Sequence, residues 1–271
     1  MRDRRLTEQR NPSSQRVDEL DPLGIVDLIN AEDRMVAEAV GEEREAIATA
    51  LELAEAAFRA GGRLIYVGAG TSGRLGVLDA AEMPPTYGTD PEMVRGVIAG
   101  GYEALVRSRE GAEDSPDDGA AALDELDVGS DDFVLGIATS GTTPYVLGAL
   151  RRAREAGART GFLLCTYPSK ELLDTHDVVI APLVGPEVIT GSTRMKAGTA
   201  TKLVLNMLST AAMVRLGRTR DDLMADLRAV NAKLRERAVG IVAAEAGVSE
   251  TEARSRLERA EWDIRRAIRG R

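Results

Sequence analysis

The chain has one cysteine, one histidine, one tryptophan and three phenylalanines in 271 residues. With Cys165 alone there is no intrachain disulfide, and with His176 alone there is no thiolate or imidazole cluster for a metal. Cys165 ends the apolar run 161–165 and reads as a core thiol. His176 stands in a polar turn before Asp177 and reads as a solvated or capping residue. Aromatics make up 3% of the chain, which excludes a base-stacking platform for single-stranded nucleic acid. The core must therefore be built from Ala, Leu, Val, Ile and Met. Positive charge is also scarce: 35 Lys and Arg face 44 Asp and Glu, a formal net charge of -9. Such a surface repels nucleic-acid backbones and anionic membranes, although a local helix terminus can still hold a small anion. No apolar run approaches the roughly 20 residues that span a bilayer. Residues 1–21 lack the apolar stretch of a secretory signal. A cytoplasmic location, with no nucleic-acid or membrane partner, is the expectation.

Short apolar runs at 63–67, 93–99, 132–137, 160–165 and 178–181 read as strands. Helical spacing lies between them, so the pattern predicts an α/β fold, a three-layer sandwich around a mainly parallel five-stranded sheet. Residues 1–20 read as an extended arm. Helical periodicity follows from Pro22 to about Asn30, and again over 42–59 until Gly61 and Gly62. Other helices are expected over 75–83, stopped by Pro84 and Pro85, and over 102–109, 119–126, 144–157 and 192–216. The tail predicts helices over 222–239, 250–257 and 260–268, with Ser249 placed to cap the second. Three divisions result: an N-terminal arm with helices (1–50), a central ligand-binding domain (51–217) and a small helical region (218–271).

Two turns carry the strongest local signals. Gly68-Ala-Gly-Thr-Ser-Gly73 joins the first strand to a helix but lacks the lysine of an ATP-binding loop. A dinucleotide reading would need an acid about 20 residues on; Asp90 lies in a turn rather than at a strand end. Ser140-Gly-Thr-Thr143 follows the third strand and precedes a helix. Hydroxyls beside unpaired helix amides suit a phosphate. Both turns fall at the carboxyl ends of strands, where such sheets bind ligands. The candidate binding residues are Gly70, Thr71, Ser72, Gly73, Ser140, Gly141, Thr142 and Thr143. Ser192, Arg194 and Lys196 join them from Gly191-Ser-Thr-Arg-Met-Lys-Ala-Gly-Thr199, where the cations face either an anion or solvent. Glu82 near the end of the 75–83 helix and Glu113 in an acidic loop are candidates for divided acid and base roles; spacing alone does not bring them together.

These segments, with Leu6-Thr-Glu-Gln-Arg-Asn-Pro12, Asp79-Ala-Ala-Glu-Met-Pro-Pro-Thr-Tyr-Gly88, Glu110-Gly-Ala-Glu-Asp114 and Asn206-Met-Leu-Ser-Thr210, resemble the N-acetylmuramic acid 6-phosphate etherase family of the sugar isomerase (SIS) superfamily. They are more distantly similar to glucokinase regulatory protein. The order and spacing of these segments across most of the chain make the resemblance specific. It implies a SIS fold, a phosphorylated amino sugar as ligand, a homodimer and no cofactor. It matches Glu82 to the family's catalytic acid and Glu113 to its second catalytic glutamate, the general base. It implies cleavage of a D-lactyl ether by β-elimination and water addition. A phosphosugar aldose–ketose isomerase and a noncatalytic phosphosugar-binding regulator are the alternative readings. In one departure from the family pattern, Thr142 stands where arginine is common.

Overall fold

The computed structural model describes residues 5–224, 226, 227, 229 and 231–270. Five strands form one parallel sheet: β1 (Leu64–Gly68), β2 (Val94–Ile98), β3 (Phe133–Ile137), β4 (Arg159–Leu163) and β5 (Val178–Ile180). Their order is β2-β1-β3-β4-β5. All five expected strands are present, and the three-layer α/β reading holds.

Alternation along the strands creates two cores, because successive side chains leave a strand on opposite faces. Leu64, Tyr66, Phe133 and Leu135 pack with one hydrophobic cluster; Ile65, Val67 and Val134 pack with another. The first face is covered by α1 (Pro22–Glu42), α2 (Arg44–Ala60), α3 (Gly70–Tyr87) and α8 (Lys196–Arg215). The second is covered by α5 (Pro116–Asp124) and α6 (Pro144–Glu155), between which Gly119 and Gly148 allow close approach. Tyr66 Oη donates to Asp79 at 3.1 Å, and Lys202 Nζ donates to the same carboxylate at 2.9 Å, tying β1, α3 and α8 together.

Several helix limits differ from the sequence expectation. Helix α1 runs to Glu42, beyond Asn30, and meets α2 at Glu43. The boundary expected at residue 50 therefore falls inside α2. Pro84 and Pro85 do not end α3, which continues to Tyr87 and closes on Gly88 at φ 63°. They occupy the last turn, where only the carbonyls of Ala80 and Ala81 lose donors, and Ala81 is exposed to water. The helix expected over 102–109 shrinks to α4 (Glu103–Val106), and α5 starts earlier than 119, with Ser115 accepting from Asp118 N–H. The segment Lys170–Thr175 forms α7, which the periodicity did not indicate.

The C-terminal region holds its own hydrophobic cluster, including Leu227, Val242, Leu257 and Ile264. Residues 225, 228 and 230 of the helix expected over 222–239 lie outside the described residues, as do 1–4 and 271. Helix α9 spans Ala232–Ala246, capped by Asn231 on Leu234 N–H. Helices α10 (Glu250–Arg259) and α11 (Ile264–Arg269) follow, and Ser249 caps α10 as expected. No helix among the described residues is long and apolar enough to cross a membrane.

Candidate functional site

The sheet order reverses direction between β1 and β3, where a crevice opens at the carboxyl ends of the strands. A cavity of about 390 Å³ lies there. Ala69, Gly70, Thr71 and Ser72 line one side, and Ile137 to Ser140 with Thr142 and Thr143 line the other.

The first turn is made by close packing. A Cβ on Gly73 would meet Gly68 O at 2.7 Å and Ile98 Cγ1 at 2.6 Å, so only glycine lets α3 start so soon after β1. Ala69 caps α3 without a side-chain hydrogen bond. The first-turn amides of a helix have no intrahelical acceptor, so this end favours an anion. The second turn is made by hydroxyls. Gly141 takes φ 75°, Pro144 starts α6, and Ser140 Oγ lies 3.2 Å from Thr142 Oγ1. Thr143 caps α6 without a side-chain hydrogen bond.

Glu113 lines the cavity. Its backbone carbonyl accepts from Tyr145 N–H at 3.0 Å, which pins the acidic loop to the first turn of α6. Glu113 is exposed and also borders a smaller cavity of about 110 Å³ with Arg74 and Arg109. Among the described residues, no group of three or more His, Cys, Asp or Glu side chains is placed to hold a metal ion.

Of the residues singled out from sequence, Gly70, Thr71, Ser72, Ser140, Thr142, Thr143 and Glu113 line one cavity. Gly73 lies beneath it as packing, and Gly141 borders a neighbouring cavity of about 670 Å³ instead. Ser192 and Arg194 do not line the main cavity, although Gly191 and Thr193 do. Lys196 is a correction. It is 1% exposed, and its Nζ donates to Glu32 at 2.6 Å. Helix α8 begins there rather than at 192 because the carboxylate of Glu187 accepts from the amides of Lys196 and Ala197, both at 3.0 Å. Burial raises the Glu187 carboxyl against these bonds.

Glu82 does not line the cavity. It is exposed three turns along α3, about 18 Å from Gly70 at roughly 1.5 Å per residue. Neither of the two cavities that Glu113 borders is lined by Glu82. Cys165 is buried, and burial pushes its thiol up to about 12, as an inert core thiol requires. His176 is half-buried against Phe162 rather than solvated, and it takes the C-cap position of α7, the other role expected from sequence.

Residues 46–154 match the family model of the glucokinase regulatory protein N-terminal SIS domain. The chain is 52% identical over 262 residues to N-acetylmuramic acid 6-phosphate etherase of Rhodopirellula baltica, covering 97% of this chain and 86% of that one. It is 53% identical over 265 residues to the enzyme of that name in Symbiobacterium thermophilum, covering 98% and 88%. The chain belongs to the N-acetylmuramic acid 6-phosphate etherase family. Among solved structures, a candidate sugar-phosphate isomerase of Listeria monocytogenes aligns with TM-score 0.54 at 15% identity, covering 74% of this chain and 95% of that one. A candidate phosphosugar isomerase of Bacteroides fragilis, involved in capsule formation, aligns with TM-score 0.52 at 19% identity, covering 73% and 94%. These two show the shared fold.

Family membership makes the N-terminal segment notable, because it reaches the cavity and sequence reasoning did not place it there. Arg5 and Glu8 both line the cavity, together with Asp114 and Thr139. The motif Leu6–Pro12 carried the resemblance, but its position in space was not readable from spacing: Leu6 N–H donates to Thr166 Oγ1, 160 residues away. At position 142 the threonine hydroxyl accepts from Arg5 Nη1 at 3.0 Å.

Proposed function

We propose that the protein cleaves the D-lactyl ether of N-acetylmuramic acid 6-phosphate, yielding N-acetylglucosamine 6-phosphate and D-lactate, in the cytoplasm. The observation that carries this reading is the meeting of both strand-end turns with Glu113 around one polar cavity, in a chain of this family. The turns anchor the phosphoryl group and hold the reacting carbons in place. In the open-chain sugar the C1 aldehyde acidifies the C2 proton. Glu113 removes that proton as the C3–O bond breaks, and an acid delivers a proton to the departing lactyl oxygen. Water then adds at C3 and a proton returns to C2, so the sum is hydrolysis. Each well-placed acid or base contributes about 100- to 10,000-fold.

Glu82 is the proposed acid, supplied by a second copy of the chain. It shares an exposed face of α3 with Leu78, one turn earlier and 47% exposed, which gives a partner apolar surface to cover. The homodimer is thus part of the proposal, because each site takes Glu113 from one protomer and Glu82 from its partner.

Lactate release from N-acetylmuramic acid 6-phosphate tests the reaction; interconversion of a hexosamine phosphate without lactate, or binding without turnover, would replace it. Glu82→Gln and Glu113→Gln should each abolish lactate release with the fold retained. Mixing the two inactive variants after subunit exchange should restore about a quarter of parent activity, since half the dimers are mixed and each has one intact site. Loss of activity in both variants with no restoration on mixing would reject the shared site.

A further inference from the structure

The cavity has an electrostatic problem. Glu8, Glu113 and Asp114 all line it, and the substrate proposed above carries both a phosphate and a carboxylate. Arg194 and Lys196, the cations expected from sequence, lie elsewhere. Among the described residues, Arg5 is the only Lys or Arg lining this cavity.

Arg5 is held there by its own segment. Leu6 N–H donates to Thr166 Oγ1 at 3.0 Å. Asn11 Nδ2 donates to Glu32 at 2.7 Å and to Pro186 O at 3.1 Å, and Lys196 donates to the same Glu32 oxygen. Thr7 and Asn11 are buried. These bonds fasten the segment to α1, to the loop after β4 and to the start of α8. Arg5, half-buried at its end, donates to Thr142 within the hydroxyl turn.

We propose that Arg5 is the cation that reads the substrate phosphate, its guanidinium closing over Ser140 and Thr142 from outside the α/β core. This rests on the phosphosugar reading above and adds the residue that neutralises the anion. A guanidinium presents a planar fork of N–H donors that matches two phosphate oxygens, and a charge-assisted bond is about twice as strong as a neutral one. The phosphate rather than the lactyl carboxylate is its ligand, because Arg5 is bonded to the turn that opens α6, where the helix end and the hydroxyls already favour the multiply charged group.

The probe is N-acetylglucosamine 6-phosphate, which has the phosphate and no lactyl group, measured by calorimetry on the full chain. Arg5→Met should weaken binding about 10- to 100-fold, and Arg5→Lys by less. In turnover, KM should rise while kcat changes less than about threefold, as loss of uniform binding requires. The double variant Arg5→Met/Thr142→Arg puts a guanidinium back from the neighbouring position and should regain most of the affinity. Parent-like binding by Arg5→Met overturns the inference alone. So does a fall in kcat at unchanged KM, or a double variant no better than Arg5→Met. A parent chain that binds no hexosamine 6-phosphate refutes the phosphosugar reading and this inference with it.

Discussion

The two turns that face each other across the cavity solve the same problem with different chemistry. The turn after β1 is fixed by absence of side chains: Gly68, Gly73 and Gly76 allow close packing at the strand–helix junction, and α3 begins within two residues of the strand. The turn after β3 is fixed by a single left-handed glycine and a proline, and it fills its space with hydroxyls and a guanidinium from a distant segment. The first turn is therefore inseparable from the fold, whereas the second is free to vary its ligand chemistry. In this chain Arg5, from outside the α/β core, donates to Thr142 of that turn.

The largest expected effect tests whether the first turn is structural. Gly73→Ala places a Cβ at 2.6–2.7 Å from Ile98 Cγ1 and Gly68 O. We expect a loss of about 3 kcal/mol, a fall in Tm of roughly 6–12 °C by calorimetry. An unchanged Tm would remove the steric account of this turn. Next is the tether of the N-terminal segment. Lys196→Met leaves Glu32 without its ammonium partner in a largely buried place. Burial raises the Glu32 carboxyl, and hydrogen bonds from Lys196 and Asn11 more than offset it, holding Glu32 below the usual carboxylate range. The expected loss is about 2–3 kcal/mol by denaturant melts at neutral pH. Because the Glu32 value is depressed in the fold, its contribution is present above the usual carboxylate pKa and lost as pH falls through the folded one. The gap between parent and variant should therefore narrow in acid. Third, Ser140→Ala should weaken N-acetylglucosamine 6-phosphate about tenfold, near 1.4 kcal/mol, with Tm unchanged. A large Tm loss there would make the second turn as structural as the first.

How much of this was legible in sequence follows the same division. The strands and both turns were readable because apolar runs, glycines and hydroxyls act over a few neighbouring residues. Glu113 and the hydroxyls of both turns reach one cavity because parallel strands deliver successive loops to one edge. Contacts across the chain were not readable. Lys196 looks like an anion ligand in its motif, yet Glu32, 164 residues away, claims it. Glu187 sets the start of α8 from a position with no local capping signature. Arg5 gives no signal of its own, because its role depends on the fastening of residues 6–11. Glu82 was matched to a catalytic acid by resemblance alone, and its place on the continuous helix α3, outside the cavity that Glu113 lines, came only with the fold.

The smallest expected effect decides which turn holds the phosphate. His176, the only histidine, gives a single imidazole signal, so its titration by NMR is unambiguous. Burial and then the nearby charge of Arg154 lower it from 6.5 to about 4, and Asp177 opposes them weakly. Its Nδ1 lies 3.1 Å from Thr160 Oγ1. The unfolded chain thus gains a proton near pH 6.5 that the fold refuses until about pH 4. The neutral imidazole's contribution to stability is complete above that range and is lost as pH falls through it. His176 borders the 670 Å³ cavity that shares Ser140 and Thr142, but not Thr71 or Ser72, with the 390 Å³ cavity. A phosphate seated on the hydroxyl turn adds negative charge on that side and favours the imidazolium. Saturating N-acetylglucosamine 6-phosphate should then raise the His176 pKa by a few tenths of a unit, and the acid loss of stability should be slightly smaller because the liganded fold accepts its proton sooner. Arg5→Met at saturating ligand should keep that upward shift, since the anion and not the arginine is its source. Saturation with no change at His176 would instead seat the phosphate on the amides that open α3, leaving the hydroxyl turn to hold another part of the sugar.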